Sequence, residues 1–367
     1  MAERPFVVST SDRILFKRCR RKWDFQSANR QALVTVDQAV AGPLWLGSGF
    51  HFALEDFHGY NLFEHPSKAF RAYVSAHRRG DLPGDHEDLT DLACGMLDYY
   101  IKYWLPQHGE PFKTLWIDNV PQVEVMLYVP LDIEPPDGYD SVMYRMTFDR
   151  VCIDDFERII IEDYKTAQKA YEAGRLELDP QVSSYDWGGR LLYGDAVEGA
   201  CWLQFIKALA HEPKVLMNGE LSMNKDQYTT HAIYRDTLIK YYGEVPKKYI
   251  DFLNYLTTLE NPEGDRYIRR ELIYRNAHFA QAEERKIFAE LTDMIAIQPA
   301  QLYPNPTRDC IWECAFKTPC LAMDDGSDYS HLLKTEYTRW DGEGYKTTGW
   351  RERLEYPAAP EFTASVD

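Results

Sequence analysis

Two neighbouring segments carry groups suited to chemistry on a phosphate: Phe148-Asp149-Arg150 and Ile161-Glu162-Asp163-Tyr164-Lys165-Thr166. Side chains alternate along a strand, so Asp163 and Lys165 share one side of a sheet. Such a pair can hold a hard divalent cation through carboxylate oxygens and set an ammonium beside a phosphate under attack. A cation there lowers the pKa of a bound water and stabilises charge on the phosphoryl oxygens, while Lys165 orients that water or neutralises the developing charge. Taken alone, an Asp-x-Lys pair arises by chance in many strands and usually marks a solvated edge.

Other groups extend the constellation. In Gly47-Ser48-Gly49-Phe50-His51-Phe52-Ala53-Leu54-Glu55, His51 and Glu55 stand one helical turn apart. A neutral imidazole beside carboxylates is a metal ligand, and a mixed nitrogen and oxygen set suits Mn²⁺ somewhat better than oxygen alone does. Gln181 and Tyr185 form an i, i+4 pair on the helix after the Asp163 strand and are placed to face the same site. Cys310, Cys314 and Cys320 crowd together among seven cysteines, and in a reducing compartment such a cluster reads as metal binding more readily than as disulfides.

The elements that must position these groups follow from periodicity. Strands are expected at Gln122 to Val129, Tyr144 to Ile153 and Arg158 to Thr166, the last two joined by a hairpin connection at 154–157, then at Ala200 to Lys207 and Tyr267 to Arg275. Helices are expected at Asp12 to Gln26 behind a Thr10-Ser11 cap, through 47–107 with breaks near Pro66 and Pro83, and from Asp179-Pro180 to Tyr193. Further helices are expected from Tyr228 to Leu259 with a break near Pro246, and from Ala277 to Ile297. Beyond Ala322 the chain is polar and aromatic without periodicity, which predicts a surface-wrapping or partly disordered extension.

Composition narrows the class. With 45 % hydrophobic and 27 % charged residues over 367 positions, the chain is long enough to bury a full core. No apolar run reaches a membrane span and the N-terminus lacks the apolar core of a secretory signal, so no membrane association and a cytoplasmic location are expected. A formal charge of -17 excludes bulk electrostatic coating of nucleic acid and leaves local basic patches as the only route to DNA. Arg13, Lys17, Arg20 and Arg21 on the first helix are the expected phosphate contacts, against the bland alternative of a solvated charged face.

The order Arg-Cys-Arg-Arg-Lys-Trp, Gly-x3-His-x3-Glu, Phe-Asp-Arg, Asp-Tyr-Lys-Thr, Gln-x3-Tyr and a terminal cysteine cluster resembles the RecB-like branch of the PD-(D/E)XK nucleases. The likeness runs over about residues 9–322 and is especially to members with a cysteine-bound iron-sulfur cluster, such as AddB nuclease domains, CRISPR-associated exonucleases and related phage enzymes. The resemblance implies an α/β fold of the restriction-endonuclease type, a central mixed β-sheet flanked by helices. It implies a nuclease domain over 1–322 with a helical insertion at about 47–107, a C-terminal cysteine staple, and an extension at 323–367.

By the same resemblance His51, Asp149 and Asp163 are metal ligands for Mg²⁺ or Mn²⁺, and Lys165 is the catalytic lysine. Gln181 and Tyr185 support the site and contact DNA, and Glu124 and Glu55 have supporting roles. Cys19 joins Cys310, Cys314 and Cys320 as ligands of a 4Fe-4S cluster; on chemistry alone four thiolates also suit structural zinc. The implied activity is metal-dependent DNA hydrolysis, exonucleolytic, in recombination, repair or phage replication, with a helicase or recombination protein as partner, in a bacterial cell or phage-infected host. A catalytically weak, DNA-binding relative of such enzymes is the alternative.

Overall fold

The computed structural model describes residues 4–36, 42–78, 82–312, 314–340, 350–364 and 366. Residues 1–3 of the N-terminus and 341–349 of the expected extension lie outside them. Alternating apolar positions become strands: in Val123–Leu131, residues Val123, Val125, Leu127, Val129 and Leu131 are buried while those between are not. The strands of the central sheet are Pro5–Ser9 (β1), Lys113–Thr114 (β2), Val123–Leu131 (β3), Ser141–Ile153 (β4), Ile159–Ala167 (β5), Val197–Ile206 (β6), Ile268–Tyr274 (β7) and Glu361–Thr363 (β8). Their order is β7-β6-β5-β4-β3-β8, with β1 and β2 both paired to β4. The sheet is mixed, since β5 and β6 run parallel while β3, β4 and β5 form an antiparallel meander.

Helices cover both faces. Thr10–Arg18 (α1) and Arg20–Gln26 (α2) open the chain, followed by Gly42–His58 (α3), Pro66–Ala76 (α4) and His86–Tyr99 (α5). Pro180–Tyr193 (α6) is the crossover between β5 and β6, its first turn capped by the Asp179 carboxylate, which accepts the Gln181 N–H at 2.8 Å. The expected helix at Tyr228 to Leu259 is two, His231–Tyr242 (α7) and Ile250–Thr257 (α8), and Ala277–Ala296 (α9) follows β7. One apolar core joins α6 and α9 to Val125, Tyr144, Phe148 and Ile161. A second joins α3, α4 and α5 to Tyr164, Leu203 and Phe205.

Two local readings are corrected. The first helix is not continuous: Cys19 has extended backbone (φ -162, ψ 107), ends α1 and caps α2. Its cap is Ser9, not Thr10-Ser11, in a capping box with Asp12. The chain after Ala322 contributes to the body of the fold where it is described. Trp350 and Tyr356 are buried against α3 and α4, and β8 adds a parallel edge to β3. No helix among the described residues is long and apolar enough to cross a membrane.

Candidate active site

The site arises where the sheet forks. Strands β4 and β5 pair from Ile153↔Ile159 to Arg150↔Glu162, and there the ladder stops. Beyond that rung β5 stays paired to β6 as far as Ala167↔Ile206, while β4 stays paired to β3 and, over Ser141–Arg145, to β1. Asp149 and Asp163 are the first residues past the last rung. The Asp149 carboxylate accepts the Tyr164 backbone N–H at 2.7 Å, so a side chain takes over a donor that the ladder no longer serves. The gap is a cleft of about 820 Å³, roofed by α3 and lined among others by His51, Glu124, Asp149, Asp163 and Lys165.

Backbone irregularity aims the acids. Phe148 and Val151 both enter the core beneath α6, although strict alternation would send them to opposite faces. The rung Glu124–Asp149 drops out of the ladder between Val123↔Arg150 and Val125↔Phe148, with no change of register, and Glu124 there has φ 49. A glutamate in left-handed backbone costs of order 1–3 kcal/mol, and such residues cluster at functional sites. Here the conformation places Glu124 beside Asp149 and His51, and one ligand atom from each of the three lies within 4.8 Å of the others.

Hydrogen bonds fix the remaining groups. Asp163 Oδ1 accepts from Gln181 Nε2 at 3.2 Å and from the Tyr185 hydroxyl at 3.1 Å, and Gln181 Nε2 also donates to that hydroxyl at 2.7 Å. Asp163 Oδ2 pairs with the Lys165 ammonium, which also sits 5.0 Å from the centroid of the Trp202 ring. Gln181 and Tyr185 thus meet Asp163 from one side while His51 Nδ1 meets Asp149 at 3.4 Å from the other.

The electrostatics follow from crowding three carboxylates with two cations in a half-closed cleft. Burial raises the Asp163 pKa to about 6, aided by Asp149 and opposed by Lys165. Burial acts against Asp149 too, but His51, Lys165 and the Tyr164 N–H together hold its pKa below the ordinary value. Burial would lower His51; the Asp149 and Glu124 carboxylates overcome it and lift the imidazole to about 9. For Lys165 the two aspartates outweigh burial and keep it charged. The donor set of one imidazole and three carboxylates fits a hard or borderline divalent cation such as Mg²⁺ or Mn²⁺.

Glu55 stands apart from the metal-ligand group. It is 1 % exposed and makes a two-point ion pair with Arg351, at 2.9 and 2.5 Å. Arg351 comes from the short helix Trp350–Arg353 and lines the cleft. No local pattern in the sequence announces Arg351, because its partner is 296 positions away.

The basic first helix is corrected in part. Arg13 is 1 % exposed, bound to Glu283 at 2.9 Å and Glu290 at 2.7 Å, so it is a buried link between α1 and α9 and not a surface phosphate contact. Lys17 pairs with Glu290 at 2.8 Å. Arg21 bonds Asp324, the Cys320 carbonyl and, at 3.4 Å, the Cys320 sulfur. Arg20 is half-buried, its guanidinium over the Phe16 and Tyr303 rings.

The four cysteines Cys19, Cys310, Cys314 and Cys320 are free and half-buried. Beside the Arg21 contacts, further links dock the α1–α2 break on the 303–324 segment: Arg18 pairs with Asp309 at 2.5 Å, and Asn305 donates to the Arg18 carbonyl at 3.0 Å. Sulfurs around one zinc ion stand about 3.8 Å apart, given Zn–S bonds of ~2.3 Å. Among the described residues no three of these thiols lie within 4.8 Å of one another, as ligand atoms of His51, Glu124 and Asp149 do.

A forked mixed sheet with an aspartate on one prong and Asp-x-Lys on the other defines a class of phosphodiester-cleaving folds. The family model of the PD-(D/E)XK nuclease superfamily matches residues 7–321, and the chain belongs to that superfamily. The match ends before Trp350, so Arg351 and β8 lie outside the matched residues. A search among curated proteins gives no match.

Proposed function

We propose that the chain is a metal-dependent deoxyribonuclease acting as an exonuclease on DNA ends, of the RecB-like, iron-sulfur-stapled kind. The observation that carries this reading is the convergence of Asp149, Asp163, Lys165, His51 and Glu124 in one cleft at the fork. His51, Asp149 and Asp163 are the expected ligands, and the position of Glu124 supports it as a fourth. A divalent cation bound there supplies Lewis acidity and a water of lowered pKa. The chain's own residues do the rest. Lys165 offers a fixed ammonium to the phosphate, and Gln181 and Tyr185 hold Asp163 in its rotamer so that Lys165 is not drawn out of line.

Cys19, Cys310, Cys314 and Cys320 are proposed to bind one 4Fe-4S cluster that fastens α1 and α2 to the segment after α9. What supports a shared centre is the docking of the α1–α2 break, which carries Cys19, on the 303–324 segment that carries the other three. The nuclease domain then spans 1–322 with 323–367 as its extension, working in the cytoplasm of a bacterial cell or phage-infected host beside a helicase or recombination partner.

The test is degradation of 5′- and 3′-labelled single- and double-stranded DNA with Mg²⁺ or Mn²⁺. Mononucleotides or short products released from ends, lost with chelator and in Lys165→Ala, are expected. DNA left intact by the metal-loaded, native chain would overturn the reading.

A further inference from the structure

Of the cations expected to meet DNA, Arg13, Lys17 and Arg21 are already paired with carboxylates and Arg20 lies over the Phe16 and Tyr303 rings, which turns attention to the cations of the cleft itself. Of the basic residues that line the cleft, Lys165 is paired to Asp163 and Arg351 to Glu55. Arg145 and Lys207 also line it, and among the described residues neither side chain has an ion-pair or hydrogen-bond partner.

Their places are set by the fork. Arg145 lies on β4 at the β1 pairing, Ser9↔Arg145, with Tyr144 and Met146 turned into the core. Alternation therefore sends Arg145 and Thr147 to the cleft side, the Arg145 backbone about 13 Å along the strand from Asp149. Lys207 follows β6 directly, its backbone N–H bonded to the Ala167 carbonyl at 2.8 Å, three residues past the rung Lys165↔Gln204. Leu203 and Phe205 pack under α3, and the same alternation puts Lys207 on that side. One cation thus stands on the β1–β4 wall and the other on the β5–β6 wall, with Asp149, Asp163 and Lys165 at the apex between them.

We propose that Arg145 and Lys207 form a two-walled clamp for the phosphates of a single nucleic-acid strand on either side of the scissile one. The proposal rests on the nuclease reading above and names the contacts that bring the strand to that site. Burial depresses the Lys207 pKa, which is the state of a partly desolvated ammonium with no carboxylate beside it. A phosphate would supply the missing counter-charge. Arg145 is exposed and offers a planar fork suited to two phosphate oxygens.

The experiment measures equilibrium binding of a 5′-labelled, mixed-sequence single-stranded oligonucleotide to the full chain in a Lys165→Ala background with Mn²⁺, over a range of salt. Arg145→Gln and Lys207→Met, which keeps the apolar stem, are compared with Lys68→Gln, a surface lysine paired to Glu64 on the distant α4. Each clamp substitution is expected to weaken binding several-fold and flatten the log–log salt dependence by about 0.7, the increment for one single-strand phosphate. Lys68→Gln should change neither. Unchanged affinity and slope in both clamp variants, while the native chain degrades DNA, would refute the clamp and leave the nuclease reading standing. A native chain that neither binds nor degrades DNA would remove both.

Discussion

The raised pKa of His51 makes proton release the most direct probe of its role. An imidazole lifted to about 9 carries a proton at neutral pH, held by Asp149 and Glu124, and a protonated nitrogen cannot ligate a metal. A cation entering the site must expel that proton. The sign follows: apparent metal affinity rises with pH up to about 9, tenfold per unit, and at pH 7 stands roughly 100-fold, or about 2.7 kcal/mol, below its limiting value. Below about 6 Asp163 also takes up a proton, so the dependence steepens towards two protons. Titration calorimetry with Mn²⁺ at about pH 7.5, in buffers of different ionisation enthalpy, should give close to one proton released per ion. His51→Asn should bind more weakly at high pH yet lose the pH dependence between about 6.5 and 8.5. Affinity independent of pH in the native chain, with no proton released, would mean that His51 stays paired to Asp149 as an imidazolium and is not a ligand.

Three further outcomes are expected. Asp149→Asn, Asp163→Asn and Lys165→Ala should each lower the cleavage rate by at least about 10²-fold with unchanged circular dichroism, since each removes charge at the reacting phosphate and leaves the packing in place; near-native turnover in any of them takes that residue out of the mechanism. Anaerobically purified protein should be brown, and iron and colour should be lost in Cys19→Ser and Cys314→Ser but kept in Cys94→Ser, whose thiol is buried between α4 and α5; colourless protein with stoichiometric zinc keeps the staple and overturns the iron. Arg351→Met strands a buried Glu55 at a cost of about 3 kcal/mol. With an unfolding entropy of about 2.1 cal/mol/K per residue over 367 residues this is a Tm lower by roughly 4 °C, largely restored by adding Glu55→Gln, and an unchanged Tm would show that the pair contributes nothing.

What the sequence disclosed depended on range. The strands carrying Asp149, Asp163 and Lys165 were legible because alternation and a short hairpin connection are local, and Asp179-Pro180 marked the start of α6 for the same reason. The pairing of Gln181 with Tyr185 needed only one helical turn. Three features had no local signature. The partners of Arg13 are Glu283 and Glu290, some 270 positions later, so a run of cations on α1 read as a surface when its centre is an interior ion pair. Glu124 was visible as an acid before the second motif, but its left-handed backbone, at the rung where Glu124 and Asp149 leave the ladder, has no signature in residue type. Arg351 stands at the cleft where Trp350 and Tyr356 pack on α3 and α4, a tertiary event in a stretch without periodicity.

Net charge and local charge act at different ranges, and that difference reconciles a formal charge of -17 with a polyanionic substrate. At physiological ionic strength charges separated by more than about 8 Å are largely screened, so a phosphate in the cleft responds to the walls and not to the whole surface. Cations on α1 and α2 that are already neutralised by Glu283, Glu290 and Asp324 add little field there. On the proposed reading, the acidic exterior disfavours binding along the length of DNA, while the fork supplies the local positive groups. An enzyme so arranged gains little from sliding on duplex and depends on a free strand entering between β4 and β5. On that reading Arg145 and Lys207, without partners among the described residues, matter more to where DNA binds than the count of basic residues does.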